Sequence, residues 1–381
     1  MTHIIGRHYR TGEPVRLIID RSMIVGVESV KGVDPLRWVA PGLVDCQVNG
    51  YRGIDFNDVP PTPDEIVEAT NAMWRDGVTS FMPTIVSHSL KDTVDLAGAW
   101  ASCLPPTVAS SIMGLHLEGP FISPEEGPRG AHDAQWITEP RLELVERCQT
   151  VSGGMVRLVT MSPHWEGSAE FVRAVTSLGI TVSIGHTTAN SSQIRLAVNS
   201  GATLSTHLGN GTHIYLPRHR NYLWDQLAED RLWASVIGDG FHLPYAVMKV
   251  ILRSKENRVY LISDAVALTG SKPGHHRTSV GGSVYLHENG KLSLSADSEL
   301  LAGAATPLKG GVAQMVSSGL GDMGTMWDLA SCRPSTFWRR ATCAGLAVGA
   351  PADIVLFEDE AGHINIRQTI KDGHIVYDEL Q

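Results

Sequence analysis

The sequence predicts an α/β protein built on a closed (β/α)8 barrel of TIM type, with a small sheet assembled from both chain ends. Three observations lead there. In the middle of the chain, eight short apolar runs alternate with helical stretches. Several of these runs end in one polar residue followed by turn residues. The two ends read differently, as short alternating β-like runs without helices between them.

At the amino end the clearest β runs are Val15-Arg-Leu-Ile-Ile and Met23-Ile-Val-Gly-Val; at the carboxyl end they are Asp353-Ile-Val-Leu-Phe, His363-Ile-Asn-Ile and Gly373-His-Ile-Val-Tyr. Two β-rich ends around a different middle predict one small unit from residues 1–40 plus 345–381, with the barrel over 41–344. The barrel strands are expected at 42–47, 78–82, 111–117, 156–161, 181–185, 203–206, 234–238 and 259–263. Thr62-Pro-Asp-Glu65 has the form of a capping box with proline in the first turn, and leads into Ile66, Ala69 and Met73 on one face. Further helices are expected at 169–178, 191–199, 244–252 and 308–318. An open doubly wound sheet is the rival, but the first strand is not followed by its glycine-rich phosphate fingerprint.

A chain of 381 residues, 43% hydrophobic and only 19% charged, can bury a large core. A net charge of −9 without a basic stripe argues against nucleic acid as the partner. The start, Met1-Thr-His-Ile-Ile-Gly-Arg-His, lacks the build of a signal peptide, and no apolar run reaches membrane-spanning length. A cytoplasmic protein is expected. Cys46, Cys103, Cys148, Cys332 and Cys343 are odd in number and form no CxxC pair, so reduced thiols are expected.

The chemistry is read from the strand ends. Ser111-Ile-Met-Gly-Leu-His-Leu-Glu118 finishes in a carboxylate, and Gly119-Pro120 stops the strand. A charge left there is costly unless something positive receives it. Ile180-Thr-Val-Ser-Ile-Gly-His186 and Ala202-Thr-Leu-Ser-Thr-His207 end in the same way. Glu118, His186 and His207 make a borderline-soft donor set with an open position, suited to one divalent ion, Zn²⁺, and tolerant of Fe²⁺ or Co²⁺. Val259-Tyr-Leu-Ile-Ser-Asp264 ends in a second carboxylate, which reads as the base that takes a proton from water and returns it to the leaving nitrogen, or as a helix N-cap. Gln47 and Asn49 stand where a His-x-His pair would build a second metal site. Neutral amides are poor ligands, so they read as a hydrogen-bonding wall beside a single ion. His275 and His276 sit in what reads as a polar loop. In Gly209-Asn-Gly-Thr-His-Ile-Tyr-Leu-Pro-Arg218-His-Arg220, the arginines and the Asn210-Gly211 backbone offer an anion contact, or a solvated loop. Asp239-Gly-Phe-His242 brings a further histidine to the same rim.

Taken together, APGLVDCQVNGYRGIDFND, GLHLEGPFI, VSIGHT, STHLGN, GDGFH, LISDA, LAGA and GLAVGAPADIVLF resemble the N-acetylglucosamine-6-phosphate deacetylases of the amidohydrolase superfamily over nearly the whole chain. The resemblance implies a (β/α)8 barrel with a small β-sandwich from both termini, a homodimer, and hydrolysis of N-acetylglucosamine 6-phosphate to glucosamine 6-phosphate and acetate. It carries the metal ligands onto Glu118, His186 and His207 and the acid/base onto Asp264. Substrate contacts fall on Ala131 and His132, on Asn210 and Gly211, on Asp239, Gly240, Phe241 and His242, and on Leu301, Ala302 and Gly303. Gln47 and Asn49 match the one-metal branch, and His132 is a candidate for holding the oxyanion. Arg218 falls on the phosphate-binding arginine that a neighbouring subunit commonly contributes. The family usually reads Arg-Glu-Pro-Gly there and Asn-Ala-Met after the histidine, where this chain has Arg218-His-Arg-Asn221 and Asn210-Gly-Thr212. The sugar and its phosphate therefore stay open. The rivals are an amidohydrolase for another N-acyl substrate, such as an unphosphorylated or epimeric N-acetylhexosamine, an N-acyl amino acid or a cyclic amide, and a non-catalytic sugar-phosphate sensor.

Overall fold

Eight parallel strands follow one another around the barrel in the computed structural model, which describes residues 1–360 and 362–379. They are Leu43–Val48, Val78–Ile85, Leu115–Glu118, Val156–Met161, Thr181–Ile184, Leu204–Ser205, Trp233–Ile237 and Val259–Ile262. Each coincides with an expected run. The third is shorter than expected because residues 109–111 form a 3-10 turn before it. The first and last strands meet through Asp264 N–H to Gln47 O (3.1 Å), Asn49 N–H to Ala265 O (2.7 Å) and a parallel bridge between Val48 and Ala265. The sheet is therefore closed, as the barrel reading requires.

Strand alternation sorts the barrel interior into layers, since every second side chain points inward. The lower layer is apolar, with Val44, Cys46, Met82, Leu158, Leu204, Ile237, Tyr260 and Ile262, and Phe337 and Trp338 pack against it from below. Above it lies a polar belt. His116 Nδ1 meets Thr84 Oγ1 (3.2 Å) and its Nε2 meets Thr160 Oγ1 (2.7 Å); Thr160 reaches Thr206 (2.7 Å), and Thr206 reaches Ser183 (2.6 Å). Burial lowers the pKa of His116 to about 4, so the ring is neutral and the belt is a hydrogen-bonded shelf without charge.

The helices cover the outside. Thr62 caps Pro63–Arg75 through a full capping box, and Ser168–Ser177, Ser191–Asn199, Tyr245–Lys255 and Leu308–Ser317 lie where periodicity placed them. Leu90–Cys103 and Leu142–Val151 are additional helices. Residues 274–294 hold a three-stranded antiparallel sheet, with His275 and His276 on its first strand, Gly274–Thr278, in place of the polar loop expected there.

Both ends of the chain join in one seven-stranded sheet. Met23–Ser29, Pro14–Asp20 and Thr2–His8 pair antiparallel, Thr2–His8 pairs parallel with Trp38–Pro41, and Ile354–Glu360, His363–Lys371 and His374–Asp378 continue antiparallel. Trp327 ties this sheet to the barrel helices. Its ring stacks on Phe357 at 4.4 Å, and its indole N–H donates to Pro41 O (2.8 Å). Among the described residues no helix is long and apolar enough to cross a membrane.

Asp76, buried at the end of helix Pro63–Arg75, gathers Tyr51 Oη (2.8 Å), Arg52 Nη2 (2.7 Å) and Lys309 Nζ (3.0 Å). Burial by itself would raise its pKa, but the charges of Lys309 and Arg52 hold the carboxyl below the ordinary carboxylate range. A depressed folded-state value means that this contribution is fully present above the unfolded pKa near ~3.9 and is lost as pH falls through the folded value. Asp76→Asn should lower stability in urea by about 2 kcal/mol at pH 7, a figure discounted because Arg52 is partly in solvent. The deficit should shrink in strong acid; an unchanged midpoint at neutral pH would dismiss Asp76 as an anchor.

Candidate active site

The carboxyl ends of the barrel strands open into a cavity of about 370 Å³, within the range of small-molecule sites. Glu118, His186 and His207 are buried on its floor, with one ligand atom of each within 4.8 Å of the others. Glu118 Oε1 lies 2.9 Å from His207 Nε2 and 3.4 Å from His186 Nε2, and the two imidazole nitrogens are 3.1 Å apart.

Local structure sets which atoms face inward. His186 Nδ1 donates to Pro128 O (2.7 Å), so its proton is on Nδ1 and its Nε2 presents a lone pair to the cluster. His207 is held by its backbone N–H to Ser235 Oγ (2.9 Å), while its buried Nδ1 has no partner. His186 (φ 48°), His207 (φ 28°) and Asp264 (φ 53°) all have left-handed backbone, a conformation that costs non-glycine residues about 1 kcal/mol or more each. Three strand ends are thus bent to turn polar side chains into the mouth. Gly211 (φ 57°) lies so close to the cluster that a Cβ there would meet His186 Nδ1 at 2.7 Å.

Although burial would raise the Glu118 pKa, the His186 and His207 imidazoles packed against it hold it well below the ordinary value. Burial lowers the pKa of His207, and the bond to Glu118 outweighs it and raises the value. The set has a carboxylate, an imidazole lone pair fixed by its tautomer, and a second imidazole nitrogen at the same point. These residues could hold one divalent cation, which would replace the crowding of lone pairs by coordination.

Asp264 adjoins this cluster through amides. Gln47 Nε2 donates to Glu118 Oε1 (2.8 Å) and Asp264 Oδ1 (3.0 Å), and Asn49 Nδ2 donates to the same Asp264 oxygen (2.8 Å). Both amides turn N–H groups toward carboxylates. Burial and then the Glu118 charge raise the Asp264 pKa, favouring the proton-holding form, and a cation at the cluster would act in the opposite direction.

The other expected residues divide. Ala131, His132, Asn210, Gly211, Phe241, His242, Leu301 and Gly303 line the cavity. His132 Nε2 is 4.0 Å from Glu118 Oε2, and its Nδ1 accepts from the Ser87 hydroxyl (2.9 Å) and backbone N–H (3.4 Å); burial lowers its pKa to about 3, so a neutral ring faces the site with an Nε2–H. Asp239, Gly240, Ala302 and Arg218 do not reach the wall. Asp239 is a support: it accepts from the backbone N–H of Phe241 (2.9 Å) and His242 (3.0 Å) and binds His242 Nδ1 (2.7 Å), leaving His242 Nε2 for the cavity. Gly240 backs onto Gln314, and Ala302 is sealed in the apolar core of the three-stranded sheet. Arg218 is exposed on the loop after His207, outside the cavity of its own chain.

Ser87, His88, Trp136, Lys291 and Glu299 also line the cavity and were not expected there. His88 stands three residues after the end of the second strand, beyond the position where a run's terminal polar residue is read. Lys291 comes from the three-stranded sheet, which left no such signal. It is the one lysine or arginine on the wall among the described residues, 3.8 Å from an exposed Glu299 carboxylate.

Known proteins resemble the chain along nearly its whole length. The profile of the Amidohydrolase family matches residues 38–376. N-acetylglucosamine-6-phosphate deacetylase of Bos taurus is 30% identical over 358 residues, covering 89% of this chain and 83% of that one. The enzyme of the same name from Bacillus subtilis is 29% identical over 72% of this chain and 69% of its own. Among solved structures, a mutant N-acetyl-D-glucosamine-6-phosphate deacetylase from Mycobacterium smegmatis in complex with N-acetyl-D-glucosamine-6-phosphate superposes with a TM-score of 0.85 at 25% identity, covering 99% of this chain and all (100%) of that one. The deacetylase from Thermotoga maritima gives 0.84 at 23% identity, covering 100% of this chain and 99% of that one.

If Glu118, His186 and His207 hold a cation, excess Zn²⁺ should raise the melting temperature of the chelator-treated protein. At a hundred times Kd the stabilisation is about 2.7 kcal/mol. Glu118→Gln should abolish the shift; a wild-type melting curve indifferent to both chelator and metal would rule out the cation.

Proposed function

The chain belongs to the amidohydrolase family, and from that premise we propose that it is a metal-dependent deacetylase hydrolysing N-acetylglucosamine 6-phosphate to glucosamine 6-phosphate and acetate. One observation carries the reading: the Glu118, His186 and His207 donors share a cavity floor with Asp264, and Gln47 hydrogen-bonds both carboxylates. The deacetylases that match the chain from end to end support it. A binding module would have no use for a proton carrier beside the donor set, which argues against the sensor, and the relatives do not favour another N-acyl substrate.

Glu118, His186 and His207 would hold one divalent ion, Zn²⁺ by the chemistry of the donors, with Fe²⁺ or Co²⁺ as substitutes. When bound, such an ion polarises a carbonyl and lowers the pKa of a water to near ~7. Asp264, oriented by Asn49 and Gln47, takes a proton from the attacking water as the O–C bond forms, and gives it to the nitrogen as the C–N bond breaks. Acetate and a free amine result. His132, neutral and with Nε2–H toward the floor, donates to the carbonyl oxygen as its charge grows. His242 Nε2 and His88, whose Nε2 is buried without a partner, are placed to bind sugar hydroxyls.

The phosphate has two candidate contacts. Lys291 offers a cation within the cavity, loosely held by Glu299. Arg218, exposed on its own chain, would serve the cavity of a second subunit in a homodimer. The terminal sheet, residues 1–40 with 345–381, is an accessory unit on the barrel of 41–344. The five free cysteines fit a reducing, cytoplasmic setting.

Asp264→Asn should lower kcat by roughly 10²-fold or more while metal content stays normal; a fully active variant would remove the mechanism. Lys291→Ala and Arg218→Ala should each raise KM for the phosphorylated sugar about tenfold and leave that for N-acetylglucosamine nearly unchanged. Equal effects on both sugars would take the phosphate away from these residues.

A further inference from the structure

The amino-terminal mouth of the barrel, opposite the catalytic end, opens into a second concavity of about 950 Å³. Its floor is aromatic. Trp233 begins the seventh strand, Phe337 and Trp338 end the helix Cys332–Phe337, and the Phe337 ring lies 5.4 Å from Trp233 and 5.0 Å from Trp338. Its rim is cationic: Arg157 lies on the fourth strand, Arg258 directly precedes the eighth, and Arg339 and Arg340 follow the helix.

These charges are unspent. Arg231, on the same rim, is taken up by Glu229 (2.7 Å) and Asn199 (2.8 Å). Arg157, Arg258 and Arg339 have no side-chain hydrogen bond or ion pair among the described residues. Arg340 gives Nη2 to Ser80 Oγ (3.2 Å), and its Nε is shut off from solvent without an acceptor. Four like charges around one bowl repel one another, and a bound anion relieves that repulsion.

We propose that this bowl binds a nucleoside di- or triphosphate, the guanidinium forks receiving the phosphate oxygens and the aromatic floor receiving the base. The cations surround a concavity instead of forming a stripe, and the chain carries a net charge of −9, which together disfavour an extended nucleic acid. The site is separate from the catalytic cavity and does not depend on the deacetylase reading.

Calorimetric titration of the full-length protein with ATP, pyrophosphate and adenosine in magnesium-free buffer tests the assignment. ATP should bind more tightly than pyrophosphate, adenosine should give no heat, and added salt should weaken ATP. The double variant Arg258→Glu, Arg339→Glu should bind ATP roughly tenfold or more weakly, because two exposed charge-assisted contacts are reversed. Its unchanged circular dichroism and melting temperature would show that the fold is intact. No heat from ATP at millimolar concentration, equal affinity in the variant, or pyrophosphate binding as tightly as ATP would overturn the proposal. So would tighter binding of a short single-stranded RNA than of ATP.

Discussion

The structure depends on one arrangement: a carboxylate and two imidazoles brought out of water to a common point. Left alone, such a group would expel itself by local unfolding or by protonation, since a buried charge costs several kcal/mol without compensation. The chain compensates from every side. Pro128 O fixes the His186 tautomer, Gln47 donates to Glu118, Ser235 holds the His207 backbone, and Gly211 leaves room for the His186 ring. Three left-handed backbone positions are tolerated because the closed barrel around them overdetermines their geometry.

That geometry begins one layer lower. The belt from Thr84 through His116, Thr160 and Thr206 to Ser183 joins the second to sixth strands beneath the donors. His116 lies two residues before Glu118, and Thr206 immediately precedes His207, so the belt controls the height at which both donors leave their strands. Below it the apolar layer and the Phe337 and Trp338 plug keep the barrel filled. The terminal sheet adds stiffness from outside, through Trp327 on Phe357 and through the buried Lys371 and Asp353 pair (2.8 Å).

Much of this was legible in the residue pattern. The barrel strands announced themselves because most are rich in apolar residues and are bounded by turn residues, and a charge at the end of such a run is hard to explain except as chemistry. The three-stranded sheet at 274–294 escaped notice because its first strand, Gly-His-His-Arg-Thr, carries no apolar alternation and is held by pairing with its neighbours. Lys291 escaped with it. Asp239 and Ala302 lie in the right motifs but face away from the cavity, Asp239 to brace His242 and Ala302 to fill a small core. One residue of rotation along the chain separates touching a substrate from supporting what touches it, and spacing cannot tell the two apart.

By itself the sequence determined the number and order of the strands, the ends that join in one sheet, and the four polar residues set at strand termini, because hydrophobic periodicity and the cost of buried charge act locally. Only the tertiary structure decided which nitrogen of each histidine faces inward, that the Gln47 and Asn49 amides present donors to the carboxylates, and that Arg218 lies exposed outside the wall of its own cavity. Those outcomes depend on distances of about 3 Å between residues far apart in the chain, such as Gln47 and Asp264 (3.0 Å), and such distances exist only once the barrel has closed.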